Sequence, residues 1–213
     1  FNNPTDLIKY PRTIEQDTLL LTAENCDILF CPTSEAMYTH TPTMKLSFGE
    51  LEHVMEGKFR PGHFSGVGLV VSKLLNIVQP DNAYFGQKDF QQLKVVECLA
   101  NELNFNVSIK SIPIHREPDG LAMSSRNMRL TKEQREVAVI FYKSLLHSKQ
   151  RLAEGIVFSS VQKEVQEMFR AQPGLKLEYL ELADATNLNI LSRVTDNAVL
   201  LIAGYVGEVR LID

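Results

Sequence analysis

The strongest constraint on the fold is an alternation of hydrophobic periods in the first half of the chain. Behind Thr13, which reads as a helix N-cap, Leu19, Leu20 and Ala23 recur at helical spacing, and Glu15 and Asp17 place negative charge in the first turn. Ile28, Leu29, Phe30 and Cys31 then form a strand-length apolar run that ends at Pro32. Residues 39–63 are irregular and close on the loop signature Arg60-Pro61-Gly62-His63. Residues 64–78 read as a mostly buried helix, stopped by Pro80-Asp81, and residues 83–86 as a second short strand. Residues 89–103 carry Leu93, Val96, Leu99 and Leu103 at helical spacing, and residues 107–112 alternate like a strand. Helix, strand, helix, strand, helix, strand is the order of an α/β fold, because parallel neighbours need a long crossover between them. Ligands of such sheets sit beyond the C-terminal ends of the strands, which singles out the loops 31–38, 86–89 and 113–126.

The pattern changes after Arg129. Thr131 caps a long helix expected to run to about Ala153 and to end at Gly155, and a second helix is expected over 159–170. Three strand candidates follow, at 177–182, 198–203 and 207–212. Two helices followed by hairpin-like strands describe a small α+β unit, so the expected division is residues 1–113 and residues 114–213.

Composition narrows the function. A chain of 213 residues with 44% hydrophobic content has enough apolar mass for a real core. The net charge of -4, with no basic stripe, argues against nucleic acid as a partner. No apolar run approaches the ~20 residues of a membrane span. Cys26, Cys31 and Cys98 fit neither a redox pair nor a zinc site, and so sparse a set suits a reducing compartment.

Three constellations carry candidate chemistry. Gly86-Gln87-Lys88-Asp89 puts a glycine, a cation and a carboxylate between a strand and a helix start, a set suited to a nucleotide, and equally an exposed turn with an ion pair. Met123-Ser124-Ser125-Arg126 offers two hydroxyls and a planar guanidinium for phosphate oxygens, and equally a polar linker before the next helix. Arg60 and His63, held by Pro61-Gly62, suit a carboxylate or a phosphate, or simply shape the loop. The chain has no Walker loop, H-E-x-x-H zinc motif or Ser-His-Asp order. Taken alone, these residues reach only an α/β protein that binds a nucleotide.

Several segments in one order reach further. Tyr10-Pro-Arg-Thr13, Glu56-Gly57, Arg60-Pro-Gly-His-Phe64, Gln79-Pro-Asp81, Tyr84-Phe-Gly-Gln-Lys-Asp89 with Gln91-Gln92-Leu93, and Arg116-Glu117 leading into Asp119-Gly-Leu-Ala-Met-Ser-Ser-Arg-Asn127 resemble the pantothenate synthetases. The resemblance is strong over residues 1–135 and general beyond. It implies a Rossmann-like nucleotidyltransferase sheet, N-terminally incomplete here, with a smaller α+β C-terminal domain. It also implies the family reaction, in which pantoate and ATP form a pantoyl-adenylate and pyrophosphate, and β-alanine then displaces AMP. Cofactor expectations are ATP and Mg2+, and the expected setting is a cytoplasmic homodimer that binds neither nucleic acid nor membrane.

Carried over by position, Gly86, Gln87, Lys88, Asp89, His115, Met123, Ser124, Ser125 and Arg126 are expected at ATP. Lys88, Ser124, Ser125 and Arg126 are the expected catalytic set, with Asp89 on the ribose and Gln92 on pantoate. Gln87 stands where the family usually has Glu, without a catalytic role, and His115 where it often has Val, meeting adenine through the backbone. The metal ligands are unassigned; Asp17 is a candidate that its helix-start position explains as well. The family's P-T-M-G-x-L-H-x-G-H loop and its F-x-N-P-x-Q segment have no counterpart in this sequence, whose Phe1 matches the residue just past the second. The isolated chain is therefore expected to be inactive or nearly so, with apolar sheet surface left uncovered. Two rival readings stand beside this one: another adenylyl-transferring enzyme of the same superfamily, and a non-catalytic nucleotide-binding or dimerisation module.

Overall fold

The computed structural model describes residues 10–213; Phe1, matched above to a family position, lies outside the described residues. Helix α1 spans Ile14–Ala23 and α2 Ser34–Met37. A 3-10 turn at Gly49–Glu52 leads to α3, Met55–Phe59, and α4, His63–Val78. Strand β1, Asn82–Gly86, is joined through α5, Phe90–Glu102, to β2, Ser108–Ile112. Then come α6, Lys132–Ala138, α7, Ile140–Ala153, and α8, Phe158–Arg170. Strands β3, Leu175–Asp184, β4, Ala198–Val206, and β5, Val209–Ile212, complete the chain.

The expected parallel pairing is present. β1 and β2 run side by side in register from Asn82 opposite Ser108 to Gly86 opposite Ile112. α4 buries Phe64, Val67, Val71 and Leu75 at spacings of three and four, and they meet Val95, Val96 and Leu99 of α5 in one core. Gly68 lies in this contact because a Cβ there would come within 2.7 Å of the Phe48 ring. The α4 helix ends at Gln79 in the left-handed region, and Pro80 prevents its continuation.

The second sheet is antiparallel, in the order β3-β4-β5, with a register shift between Leu177 and Tyr179. α8 turns Phe158, Val161, Val165 and Phe169 onto it, and Phe141 of α7 meets Phe169 edge-on at 5.1 Å. A third core cluster belongs to both halves of the chain. Met55 of α3 packs among Tyr179, Ala183, Leu188, Leu201 and Ala203, with Phe90 of α5 beside them.

Two local expectations are corrected. Residues 28–31 form no strand: Ile28 is 83% exposed, Leu29 and Phe30 are also exposed, and among the described residues no strand pairs with them. An apolar run becomes a strand only where a neighbour completes its hydrogen-bond ladder. The helix capped by Thr131 breaks at Val139. Ala138, Val139 and Phe141 are buried on both sides of the break. Thr13 stands at the N-cap position of α1 as expected, although its hydroxyl donates to the Asp17 carboxylate at 3.2 Å and makes no cap bond to a backbone N–H.

Candidate active site

A cleft of about 490 Å3 opens where the two halves meet. Its walls include Arg60, Lys88 and Asp89, then Ser124, Arg126, Asn127 and Arg129, and then Arg210 to Asp213 at the end of β5. A narrow recess of about 20 Å3 shares Glu56, Arg60, Lys88 and Asp89 with the cleft and adds His63 and Gln92.

The β1 strand delivers the first wall. Gly86 is its last residue, and Gln87–Asp89 make a 3-10 turn into α5. Lys88 Nζ lies 3.6 Å from Asp89 Oδ2; the lysine side chain is 16% exposed and the aspartate 47%. Gln92 sits in the first turn of α5 and lines the recess together with Lys88. Its neighbour Gln91 is buried and structural: Oε1 accepts the Glu56 N–H at 2.8 Å, and Nε2 donates to the Leu51 and Val54 carbonyls.

The second wall follows a short hairpin. Met123 N–H donates to the His115 carbonyl at 2.9 Å, Arg116 and Ala122 face each other as a bridge, and Gly120 turns the chain at φ +95. Ser124 then starts a 3-10 turn, Ser125–Arg129, its Oγ accepting the Arg126 N–H at 3.2 Å. That leaves the Ser124 O–H as a donor. Ser125 Oγ donates to the Tyr10 hydroxyl at 3.1 Å, and the Arg126 guanidinium lies 5.6 Å from the centre of the Tyr10 ring.

Of the residues expected at ATP, Lys88, Asp89, Ser124 and Arg126 line the main cleft; Gln92, expected at pantoate, lines the recess. Gly86, Gln87, His115, Met123 and Ser125 line neither: Gln87, Met123 and Ser125 adjoin lining residues in the chain, Gly86 ends the strand before them, and His115 is joined to Met123 across the hairpin. The loop 31–38 contributes nothing to the lining, nor does Asp17. Among the described residues, no group of three or more His, Cys, Asp or Glu side chains is arranged to hold a metal.

Beneath the cleft lies a charged network that sequence reasoning missed. Glu56 Oε2 and Oε1 accept from Arg210 at 2.9 and 2.6 Å, Oε1 accepts from Tyr179 at 2.9 Å, and Oε2 from Arg60 at 3.3 Å. Arg210 also donates to Glu178 of β3 through Nε at 2.8 Å. Burial alone pushes the Glu56 carboxyl up, but the hydrogen bond and charge of Arg210, helped by Tyr179 and Arg60, hold it below the usual carboxylate range. Burial and the Glu56 charge push the Tyr179 hydroxyl up, so it stays protonated and donates. His63 is driven down to about 4, first by burial and then by Arg60, so near neutral pH it is an uncharged imidazole beside two cations. The available signal for Arg210 was a charged residue inside an otherwise apolar strand, Val-Arg-Leu-Ile.

A site with a lysine and an arginine from separate loops, an uncharged histidine and a glutamine suits an anionic ligand with a polar extension. Known proteins bear on that directly. Pantothenate synthetase of Bacteroides thetaiotaomicron is 45% identical over 215 residues, covering 100% of this chain and 76% of that protein. The enzyme of Cytophaga hutchinsonii is 44% identical over 216 residues with the same coverage. The crystal structure of pantothenate synthetase from Thermus thermophilus superposes with a TM-score of 0.94 at 39% identity, covering 100% of this chain and 78% of that one. The pantoate-beta-alanine ligase of Francisella tularensis, complexed with beta-gamma ATP and beta-alanine, matches with a TM-score of 0.81 at 33% identity, covering 100% and 73%. No helix among the described residues is long and apolar enough to cross a membrane. The family profile described as pantoate-beta-alanine ligase matches residues 1–213, and the chain belongs to that family.

Proposed function

We propose that the cleft carries the ATP-dependent condensation of pantoate with β-alanine. The pantoate carboxylate attacks the α-phosphorus and pyrophosphate leaves. The β-alanine amine then attacks the acyl carbon of the pantoyl-adenylate, loses a proton, and AMP leaves. Both nucleophiles belong to the substrates, so the chain's work is positioning and charge stabilisation. Lys88 and Arg126 oppose the charge that builds on the phosphates. Ser124 and Ser125 add hydroxyl donors, and Asp89 takes the ribose. Gln92, in the recess beside the uncharged His63, holds pantoate. Gly86, Gln87, His115 and Met123 complete the nucleotide surface through neighbouring backbone.

Magnesium, as a companion of the triphosphate, would be held mainly by phosphate oxygens and water and would offset phosphate charge, as suits an ion that dehydrates reluctantly. The proposed setting is a homodimer in the cytoplasm, with residues 1–113 as the nucleotide-binding domain and 114–213 as the smaller one.

One observation carries the site reading: Lys88 and Arg126, from loops after different strands, line the same cleft. Calorimetry with ATP tests it on this chain. Saturable binding that weakens in Lys88→Ala and Arg126→Ala is expected; no binding, or binding indifferent to both changes, removes the nucleotide from this cleft. In an active form of the protein, AMP release is expected to require pantoate and β-alanine together.

A further inference from the structure

We propose that β5 is a strut that sets the span of the cleft, with Arg210 and Asp213 as positioning residues at its two ends. A strand sends successive side chains to opposite faces. On β5, Val209 and Leu211 enter the core beneath α7 and α8, while Ile212 packs against the cluster around Met55. Arg210 and Asp213 fall on opposite faces, and each carries a carboxylate–guanidinium fork.

On one face, Arg210 forks onto Glu56 of α3, whose own N–H is held by Gln91 of α5 at 2.8 Å. α5 is the helix that follows directly from Lys88 and Asp89. On the other face, Asp213 accepts two bonds from Arg116, at 2.5 and 2.8 Å. Arg116 in turn donates to the Gly120 carbonyl at 3.0 Å and lies 4.4 Å from the centre of the Tyr142 ring. It therefore grips the hairpin that leads into Ser124 and Arg126. The connection runs from Lys88 through Gln91, Glu56, Arg210, β5, Asp213 and Arg116 to Arg126.

Asp213 borders the cleft, but its carboxylate is turned to Arg116. Both its carboxylate oxygens are committed to Arg116, its side chain is 1% exposed, and its backbone N–H and carbonyl pair with Ile202 at 3.0 and 2.9 Å. Its effect on the reaction passes through Arg126, and in that respect only the inference rests on the nucleotide reading of the cleft.

Two measurements test it. In Asp213→Asn, amide hydrogen exchange over residues 115–129 is expected to quicken about tenfold, with α8 and β3 unchanged. Arg116→Lys, at the partly exposed end of the pair, is expected to do the same and keeps the test decisive if Asp213→Asn does not fold. Unchanged exchange at 115–129, or equal quickening across β3, β4 and β5, overturns the strut. In the second measurement, ATP affinity is followed through a cycle of Asp213→Asn and Arg126→Ala. The double variant is expected to bind within about twofold of Arg126→Ala alone, because both changes remove the same placed cation. Losses that multiply in full overturn the proposed route through Arg126. A wild-type chain that binds no ATP sinks the nucleotide reading instead, and the exchange measurement still decides the strut.

Discussion

Arg210 forks onto Glu56 across 154 residues of sequence, with bonds of 2.9 and 2.6 Å, and both side chains are largely shielded from water. Removing one member of such a pair strands the other charge in a low dielectric. Glu56→Ala is expected to destabilise the fold by about 3–5 kcal/mol, read from urea unfolding. Tyr179→Phe, which deletes one neutral donor to the same carboxylate, is expected to cost about 1 kcal/mol. Equal losses from the two variants would show that the ion pair is not what holds the halves together.

Lys88 tests the chemistry. In an active form of the protein, Lys88→Ala is expected to lower pantoate-dependent ATP–pyrophosphate exchange on the order of 10²–10³-fold, as for loss of one preorganised donor. An unchanged exchange rate would remove the lysine from the adenylation step.

His63 predicts an acid-side stability slope. Its folded pKa of about 4 lies below the ordinary value of 6.5. As pH falls, the unfolded chain takes up this proton first, so stability is full above about 6.5 and is lost as pH drops toward 4. The loss assigned to His63 is roughly 1–3 kcal/mol, levelling off below that window. Thermal melts of His63→Asn between pH 7 and 4 are expected to show a correspondingly shallower decline; an identical slope would place the titration elsewhere.

Gly120 predicts a steric effect. A Cβ there would lie 2.0 Å from the Tyr142 ring, and its φ of +95 strains any other residue. Gly120→Ala is expected to destabilise by about 2–3 kcal/mol. Made in a Tyr142→Ala background, Gly120→Ala is expected to cost less than it does in the wild-type chain, since the collision is then cleared and the backbone strain remains. An equal cost in both backgrounds, read from thermal melts, would mean that the ring is not the obstacle.

What was legible in the sequence was what local periodicity encodes. The α4, α5 and α8 faces and the parallel β1–β2 pair follow from spacings within one element or its neighbour. Lys88, Asp89, Ser124 and Arg126 could be singled out because motif order marks the loops after β1 and β2, and the fold gathers those four in one cleft. Ile28 to Cys31 failed because a strand needs a partner that its own residues do not specify. Glu56, Arg210 and Asp213 were missed for a related reason. An isolated charge looks solvent-exposed in sequence, and its partner here lies 97 or 154 residues away.

Met55, seated among Tyr179, Ala183 and Leu201, gives the molecule a shared keystone. Severing the backbone between Ile112 and Pro113 is therefore expected to yield fragments that fold well only when mixed. Each would expose, as a sticky wound, the apolar surface that the other normally covers.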